Sequence, residues 1–468
     1  MQSNQIKQGI FFNRYIFFSF LALLVWMPLP LASNRAWAWS FAEVWVFLLS
    51  AVLCLAYLRG QEFNSEVLRK AKPMLWIFGA WLFFLLFQLI PLPVFTIEFI
   101  SPTRLLSAGS ISTAKWFPLT ESVTASSEYF LKSLAYVLLF IITLLLVNSR
   151  TRVKWLAWTI VYSALFQAMY GSLMTLSGLE YGFFIKKLDY LGVATGTFVN
   201  RNHLAGYLNM GLALGVGLLI AGLAQSSVSR TAKQWSRKIA QLLLSRKAQL
   251  RIYIALMTVA LVLTHSRMGN AAFFIALTVS VLLALFLTRH ARLIMAALVI
   301  SIVIIDIFIL SAWFGLEKVA DRMQQTSLQT EQRDEVALYT LQQWQDYLVV
   351  GSGGGTYQYI FPKYRGPEIK YFYDHAHNDV LEIASETGIL GIGLLIMSIV
   401  LSFITALRAL AKRRDPLMIG MAFASVMAML ALSIHSFFDF NLQIPANAAT
   451  FMVLLALAWI ARFHNKKG

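Results

Sequence analysis

The residues of this chain that could do chemistry are concentrated in residues 371–393, YFYDHAHNDVLEIASETGILGIG. His375 and His377 are one residue apart and cannot share a helix face, so we expect them on an extended or turning segment. Imidazole titrates near neutral pH, which suits either histidine to be a general base or a metal ligand. Asp379 is predicted to cap the next helix, with Glu382 completing a capping box. The pattern predicts a short amphipathic helix that leads into a membrane-spanning one.

Two alternatives to acid–base catalysis stay open for these histidines. They could be a pair of surface histidines among other polar residues. HAHND also matches the His-x-His-x-Asp spacing of binuclear zinc hydrolases. Zinc sites of that kind need a soluble sheet scaffold and further ligands elsewhere in the chain, so we favour a base over a metal site for this motif.

Two further motifs place an arginine near the start of an apolar run. TFVNRNHLAGY, residues 197–207, contains Arg201, and THSRMG, residues 264–269, contains Arg267. A guanidinium presents a planar fork of donors that matches phosphate oxygens, so two arginines from different loops could clamp a pyrophosphate. The alternative is that both side chains reach interfacial water or lipid phosphate.

Three other polar features are weaker candidates. IHSFFDFNLQIPAN, residues 434–447, contains Asp439 and connects two apolar runs, where a structural polar turn is the alternative. GSGGG, Gly351–Gly355, is not a phosphate-binding loop because no Gly-Lys-Ser/Thr follows, and we expect it to turn the chain. Asp306 lies deep in an apolar run and is a candidate proton site.

The composition is that of a polytopic membrane protein. Of its 468 residues 58% are hydrophobic and only 13% are charged, and the mean hydropathy is +0.66. Apolar runs of about 20 residues can cross a bilayer core of roughly 30 Å. The single cysteine, Cys54, excludes an intramolecular disulfide and any multi-cysteine metal site.

The apolar runs predict an all-α integral membrane protein with about twelve transmembrane helices in a single polytopic domain, residues 1–468. The predicted spans are about 15–33, 40–58, 74–91, 131–147, 154–177, 203–224, 252–266, 269–288, 293–313, 388–410, 417–436 and 445–461. We interpret the first as an uncleaved helix and not as a signal peptide. The largest polar insertion, residues 314–387, lies between the ninth and tenth spans.

The charge distribution predicts the orientation. Basic loops alternate with loops of mixed charge, so we expect the basic side, with both termini, to be cytoplasmic and residues 314–387 to be periplasmic. One of these basic loops, residues 225–251, is a solvated loop or an amphipathic helix on anionic lipid. The net charge of +17 thus reflects topology, and we expect no nucleic-acid partner.

Five motifs, in this order, resemble the O-antigen ligase and polymerase superfamily: GTFVNRNHLAGY, HSRMG, GSGGGTY, AHNDVLEIASETGILG and HSFFDFNLQIPANA. The resemblance covers residues 195–458, and the block from AHND to GILG is its most specific part. It implies a membrane glycosyltransferase of the C-type general architecture, with a large periplasmic loop between helices 9 and 10. Such enzymes transfer a glycan from undecaprenyl pyrophosphate to an acceptor on the periplasmic face of the bacterial inner membrane.

The resemblance also implies roles for individual residues. Arg201 and Arg267 match the arginines that bind the donor pyrophosphate, and His377 matches the proposed catalytic base. His375 beside it leaves the base assignment open between the two. The weaker substrate-binding candidates are Asn378, Arg333 and Asp439. The implied reaction is metal-independent and inverting and uses no cofactor.

The branches of the superfamily differ in the acceptor. Ligases use lipid A core, polymerases use a second lipid-linked glycan, and protein O-oligosaccharyltransferases use a protein. The motifs are common to these branches, so the expected partners are a lipid-linked glycan donor, one of these acceptors and the bilayer. A small-anion transporter of the same superfamily is the alternative function, although transporters bind substrate near the membrane midplane and these motifs lie at helix ends.

Overall fold

Long α-helices make up most of the chain. The computed structural model describes residues 2–61, 66–108, 115–182, 184–223, 246–288, 328–370 and 372–464. In these residues the helices are α1 (Gln2–Trp26), α2 (Ala36–Leu58), α3 (Glu66–Lys70), α4 (Lys72–Leu89), α5 (Val94–Ile100), α6 (Pro102–Ala108), α7 (Val123–Leu146), α8 (Arg150–Ser177), α9 (Arg201–Leu223), α10 (Arg246–Leu263), α11 (Arg267–Leu287), α12 (Leu328–Asp346), α13 (Tyr357–Ile360), α14 (Asp379–Lys412), α15 (Pro416–His435) and α16 (Pro445–Phe463).

The β-structure of the described residues consists of two small antiparallel sheets of two strands each. Strand β1 (Pro91–Pro93) pairs with β2 (Trp116–Pro118), and β3 (Tyr181–Gly182) pairs with β4 (Ile185–Lys186). Both lie in loops between long helices. They shape the loops and do not form a core of their own.

Eight helices of the described residues are long and apolar enough to cross a membrane: α2, α4, α7, α9, α11, α14, α15 and α16. Three more predicted spans coincide with α1, α8 and α10. The apolar parts of α1 and α10, Arg14–Trp26 and Ala248–Leu263, are shorter than those of the eight helices. The protein is therefore an all-α membrane protein. The ninth predicted span, 293–313, lies outside the described residues together with Asp306, residues 314–327 and most of the basic loop 225–251. The count of twelve stays a prediction.

Helix α9 is the centre of the bundle. Its apolar window is 100% buried inside the protein, compared with 28% for that of α2 at the periphery. A Cβ atom on Gly217 of α9 would lie 2.3 Å from the carbonyl oxygen of Gly420 on α15. The two backbones are therefore in contact at a point where both residues are glycine. This contact fixes α9 against α15, and α9 carries Arg201 at its first position. We call the end of the bundle at which α9, α11 and α14 begin the site end.

Helix α14 is broken at Gly388, whose φ of 62° lies in the left-handed region. An unbroken helix would pair the amides of residues 389 and 390 with the carbonyls of residues 385 and 386. Residues 348–353 enter the break and satisfy all four groups. The exchanged bonds are Ile389 N to Leu348 O (2.8 Å), Leu390 N to Val349 O (3.3 Å), Ser352 N to Ser385 O (3.0 Å) and Gly353 N to Glu386 O (2.9 Å). The break therefore separates the short helix from the membrane-spanning helix, as predicted.

The segment Gly351–Gly355 fits into this break because it has no side chains at the points of closest approach. Gly351 has a φ of 75°, and a Cβ atom there would lie 2.1 Å from the carbonyl oxygen of Glu386. The buried amide of Gln88, at the end of α4, donates to the carbonyl oxygens of Val350 (2.7 Å) and Glu386 (3.1 Å). The segment turns the chain as predicted, and it also attaches the polar insertion to the membrane helices.

We predict that Gly351→Ala destabilises the protein much more than Gly60→Ala. Gly60 also has a positive φ, 83°, but among the described residues no atom beyond its chain neighbours lies within 4 Å of a Cβ there. In both variants the left-handed backbone of the alanine lowers the free energy of unfolding by roughly 1–2 kcal/mol. In Gly351→Ala, overpacking lowers it by roughly 1–3 kcal/mol more. Thermal unfolding of the purified protein in detergent measures the difference. Equal melting temperatures for the two variants would show that the glycine segment does not need its close approach to α14.

Candidate functional site

A fully buried carboxylate, Asp439, joins three separate parts of the chain at the site end. Asn202, on the first turn of α9, donates its amide Nδ2 to Oδ2 of Asp439. Nε2 of His203 lies 3.6 Å from Oδ1, and Nδ1 of His377 lies 3.4 Å from the same oxygen. The amide of Phe440 also donates to Oδ1 at 2.8 Å. The loop after α15, the start of α9 and the histidine segment therefore meet at one negative charge.

Asp439 remains ionised in this environment. Burial alone would raise the pKa of its carboxyl group, but the imidazole groups of His203 and His377 hold the pKa well below its usual range. A buried carboxylate of this kind can orient an imidazole ring and stabilise its positive charge.

The ring of Phe440 lies between three imidazole groups. His375 stacks on it, with a centroid distance of 4.4 Å and an interplanar angle of 23°. His203 and His377 meet it edge-on, at 4.5 and 4.8 Å. The aromatic ring thus fixes the orientation of all three histidines. The sequence motif HSFFDF contains Phe440, but only the fold shows that the histidines surround it.

His375 forms an ion pair with Glu382. Nδ1 of His375 lies 2.7 Å from Oε1 of Glu382, whose other oxygen accepts from the amide of Ala376, also at 2.7 Å. Burial would lower the pKa of His375, but the charge of Glu382 and its hydrogen bond raise the pKa to about 9. His375 is therefore an imidazolium at neutral pH, which cannot accept a proton.

His377 has a different environment. Its backbone φ is 51°, in the left-handed region that residues other than glycine seldom adopt. This conformation turns Nδ1 toward Asp439, while the side chain remains 17% exposed. A carboxylate beside Nδ1 favours the proton at that position, and the lone pair is then on Nε2. His377 therefore has the arrangement of an oriented base.

The prediction that Asp379 caps α14 is wrong. Asn378 is the N-cap, because its Oδ1 accepts from the amide of Leu381 at 3.0 Å. The carboxylate of Asp379 is buried and accepts from the hydroxyl of Ser436 (2.7 Å) and the amide of Leu442 (3.0 and 3.1 Å). Asp379 thus holds the loop after α15 against α14, and Glu382 pairs with His375 and does not form a capping box.

The start of α11 places Arg267 next to the first turns of α9. Ser266 caps α11 by accepting from the amide of Gly269 at 3.2 Å. Asn209 of α9 donates to the carbonyl oxygen of Gly269 at 3.0 Å, and a Cβ on Gly269 would lie 2.6 Å from Cβ of Ala205. The two helices therefore begin side by side at the same end of the bundle.

Three arginines come together at this end. Arg201 is half-buried, its Nε has no hydrogen-bond partner among the described atoms, and Arg267 and Arg333 both lie close enough to repel it. Its guanidinium lies 5.7 Å from the ring centroid of Tyr190. Burial raises the pKa of Tyr190, and Asp439 raises it further, whereas Arg333 and Arg201 lower it. Arg267 and Arg333 therefore both lie within electrostatic range of Arg201, a concentration of positive charge that suits an anion.

Residues 252–396 match the family described as O-antigen ligase. This region belongs to the O-antigen ligase superfamily. The match confirms the resemblance for the three motifs that lie within it, HSRMG, GSGGGTY and AHNDVLEIASETGILG. The family supports, in broad terms, a membrane glycosyltransferase of the O-antigen ligase and polymerase type, with lipid-linked glycans as its substrates. No curated protein matches the chain.

The O-antigen ligase region contains only part of the site. Arg267, Arg333 and the two histidines of HAHND lie inside the matched residues, whereas Arg201 and Asp439 lie outside them. The contacts of Asp439 with His377 and with the start of α9 join the two parts. Asn378 lies at the site as well, where its Oδ1 is engaged in capping α14.

The described residues contain no group of three His, Cys, Asp or Glu side chains that could hold a metal ion. The His-x-His-x-Asp spacing does not converge on one point, because His375, His377 and Asp379 each bind a different partner. The donor set at this site is cationic and suits phosphate oxygens.

We predict that the stabilisation provided by His375 depends on pH. Its pKa in the folded protein, about 9, is higher than the ordinary value of 6.5. The ion pair therefore contributes its full stabilisation below about pH 6.5 and loses it as the pH rises through about 9. The melting temperature of His375→Gln should lie furthest below that of the wild type at about pH 6, and the two should converge near pH 10.

The variant Glu382→Gln provides the background for the control experiment. In that background the imidazole has lost its carboxylate partner. The difference in melting temperature between Glu382→Gln and the double variant Glu382→Gln/His375→Gln should therefore not decrease as the pH rises from 6 to 10. If the difference between the wild type and His375→Gln were itself constant across this pH range, that result would contradict the ion pair.

Proposed function

We propose that this protein is a membrane glycosyltransferase that moves a glycan from undecaprenyl pyrophosphate to an acceptor hydroxyl on the periplasmic face. The observation that carries this proposal is the buried carboxylate of Asp439, which lies 3.4 Å from Nδ1 of His377 and accepts from Asn202, the neighbour of Arg201 at the start of α9. A base and a cationic phosphate site then lie side by side, as glycan transfer from a diphosphate donor requires.

The base in this mechanism is His377. Nε2 of His377 accepts the proton of the acceptor hydroxyl as its oxygen attacks the anomeric carbon. The bond between that carbon and the pyrophosphate oxygen breaks, and undecaprenyl pyrophosphate departs with the electron pair. Because attack and departure occur on opposite faces of the carbon, a single displacement inverts its configuration. The ion pair that holds His375 as an imidazolium beside Glu382 supports His377 over His375 as the base in this proposal.

The arginines stabilise the leaving group. The pyrophosphate gains negative charge as the glycosidic bond breaks, and fixed cationic donors stabilise that charge. We assign Arg201 and Arg267 to the two phosphates, where paired guanidinium donors can form bidentate bonds. Arg333 on α12 and the imidazolium of His375 add further positive charge. In this proposal the guanidinium groups do the work that a divalent cation would otherwise do, so the reaction is metal-independent.

The proposed orientation places the site end in the periplasm and both termini in the cytoplasm of the bacterial inner membrane. Exposed basic residues at the opposite end support it, because cytoplasmic ends of membrane helices carry an excess of Lys and Arg. Examples are Arg59 at the end of α2 and Lys412 at the end of α14.

We expect Arg267→Ala to abolish glycan transfer and Arg201→Lys to reduce it strongly, with unchanged protein levels in the membrane. Lysine keeps the charge of Arg201 but cannot reproduce a bidentate contact with phosphate. The assay is transfer of a labelled glycan from undecaprenyl pyrophosphate in proteoliposomes. Arg35→Ala is the matched control, because Arg35 is an exposed arginine at the same end, just before α2. Wild-type turnover of Arg201→Lys would argue against the clamp.

The variants His377→Gln and His375→Gln test which of the two histidines acts as the base. Removal of a general base lowers kcat by about 10²- to 10⁴-fold, so we expect that loss for His377→Gln, with little change in donor affinity. Asp439→Asn should produce a similar loss, because an amide no longer favours the proton on Nδ1. His375→Gln should retain more activity at neutral pH than either. If His377→Gln turned over at the wild-type rate, the base would have to be sought elsewhere.

The acceptor is tested separately from the mechanism. Deletion of the gene followed by electrophoresis of the envelope polysaccharide distinguishes the branches of the family. Loss of all long chains from lipid A core indicates ligation, and single repeat units that remain attached indicate polymerisation. An unchanged polysaccharide pattern with altered glycoproteins indicates that a protein is the acceptor.

A further inference from the structure

A groove of about 420 Å³ lies at the end of the bundle opposite the site end, between α2 and α7 and beside α3. Its lining comes from the last turns of α2 and α7 and from the middle of α3, and it is mostly apolar. Residues on its wall include Leu53, Cys54, Tyr57, Leu68, Leu138 and Leu145. The groove is therefore far from the arginines and histidines of the candidate site.

The groove opens toward the lipid. Only 28% of the apolar window of α2 is buried inside the protein, and the neighbouring side chains of Leu55 and Tyr57 are 53% and 65% exposed. The hydroxyl of Ser50, on the groove wall, already donates to the carbonyl oxygen of Val46 at 2.8 Å. An apolar chain from the bilayer fits these walls, because such a chain has no hydrogen-bonding group that burial in the groove would leave unsatisfied.

Exposed basic residues lie close in sequence to residues that line this groove. Leu68 lines it, and the next two residues of α3 are the exposed Arg69 and Lys70. Arg59 follows α2 two positions after Tyr57, and Lys72 begins α4; both are exposed. The acidic residue of α3, Glu66, lies within electrostatic range of another cation, Arg413. Positive charge next to an apolar, lipid-facing groove suits a phosphate at the membrane surface.

We propose that this groove is a binding site for one anionic phospholipid. An acyl chain lies between α2 and α7, and the phosphate group binds at Arg69 and Lys70. The site is independent of glycan transfer, because none of its residues belongs to the candidate active site. It gives α3, a helix of only five residues, a function as the cationic support of a lipid headgroup.

Cys54 allows a direct test, because it is the only cysteine of the chain, is exposed and lines the groove. The rate at which a small maleimide labels Cys54 is measured on the full-length protein in detergent, with added phosphatidylglycerol, phosphatidylcholine or inorganic phosphate. Phosphatidylglycerol should slow the labelling saturably, and the other two should not. Equal protection by phosphatidylcholine would overturn the proposal, because it would show a groove that holds chains without selecting a headgroup. Absence of protection by phosphatidylglycerol would overturn it as well.

The charge requirement is tested with Arg69→Gln/Lys70→Gln. Two basic residues near a membrane surface together change anionic-lipid binding by about 30-fold, which corresponds to about 1 kcal/mol for each residue. We expect the phosphatidylglycerol concentration for half-protection of Cys54 to rise by about that factor. Lys363→Gln/Lys370→Gln is the matched control, since it removes the same charge from exposed positions near the site end. An equal shift in both double variants would attribute the effect to net charge and reject the local site.

Discussion

The burial of the Asp439 carboxylate is the constraint on which the arrangement of the site depends. A buried charge is costly unless hydrogen bonds and opposite charges compensate for it. Here the compensation comes from the start of α9 and from the histidine segment, through Asn202, His203 and His377. Moving either of these elements away would deprive the carboxylate of some of its partners. The contacts that compensate this one buried charge therefore bring together side chains that are distant in sequence.

The break in α14 is the second constraint, and it acts through the backbone. Residues 348–353 replace the hydrogen bonds that the helix loses at Gly388, so the extramembrane insertion and the membrane helix share one network. The short helix before the break carries Asp379 and Glu382, which fix the loop after α15 and His375 respectively. A change in the angle at Gly388 would therefore move two groups at once: the carboxylate that pairs with His375 and the carboxyl group that holds the loop after α15.

The sequence predicted the features that depend on local pattern. The apolar runs located the long helices, and the spacing of the two histidines excluded a shared helix face. Some partners of Asp439 and of the glycine segment were not predictable, because they come from residues more than 200 positions away, such as Asn202 and Gln88. The wrong cap assignment has the same origin. Asp379 and Asn378 are both good caps, and the burial of Asp379 against Ser436 decides between them.

The HAH spacing explains how two similar side chains acquire different chemistry. On a non-helical segment, side chains two positions apart would point to the same side if the backbone were regularly extended. The positive φ of His377 breaks that regularity and directs its Nδ1 to Asp439, while His375 pairs with Glu382. One imidazole is thereby held charged and the other oriented by its own carboxylate. The same loop then combines a cation with the imidazole that we propose as the proton acceptor. The nearby guanidinium of Arg201, with its buried Nε unpartnered among the described atoms, leaves donor capacity for an anionic ligand.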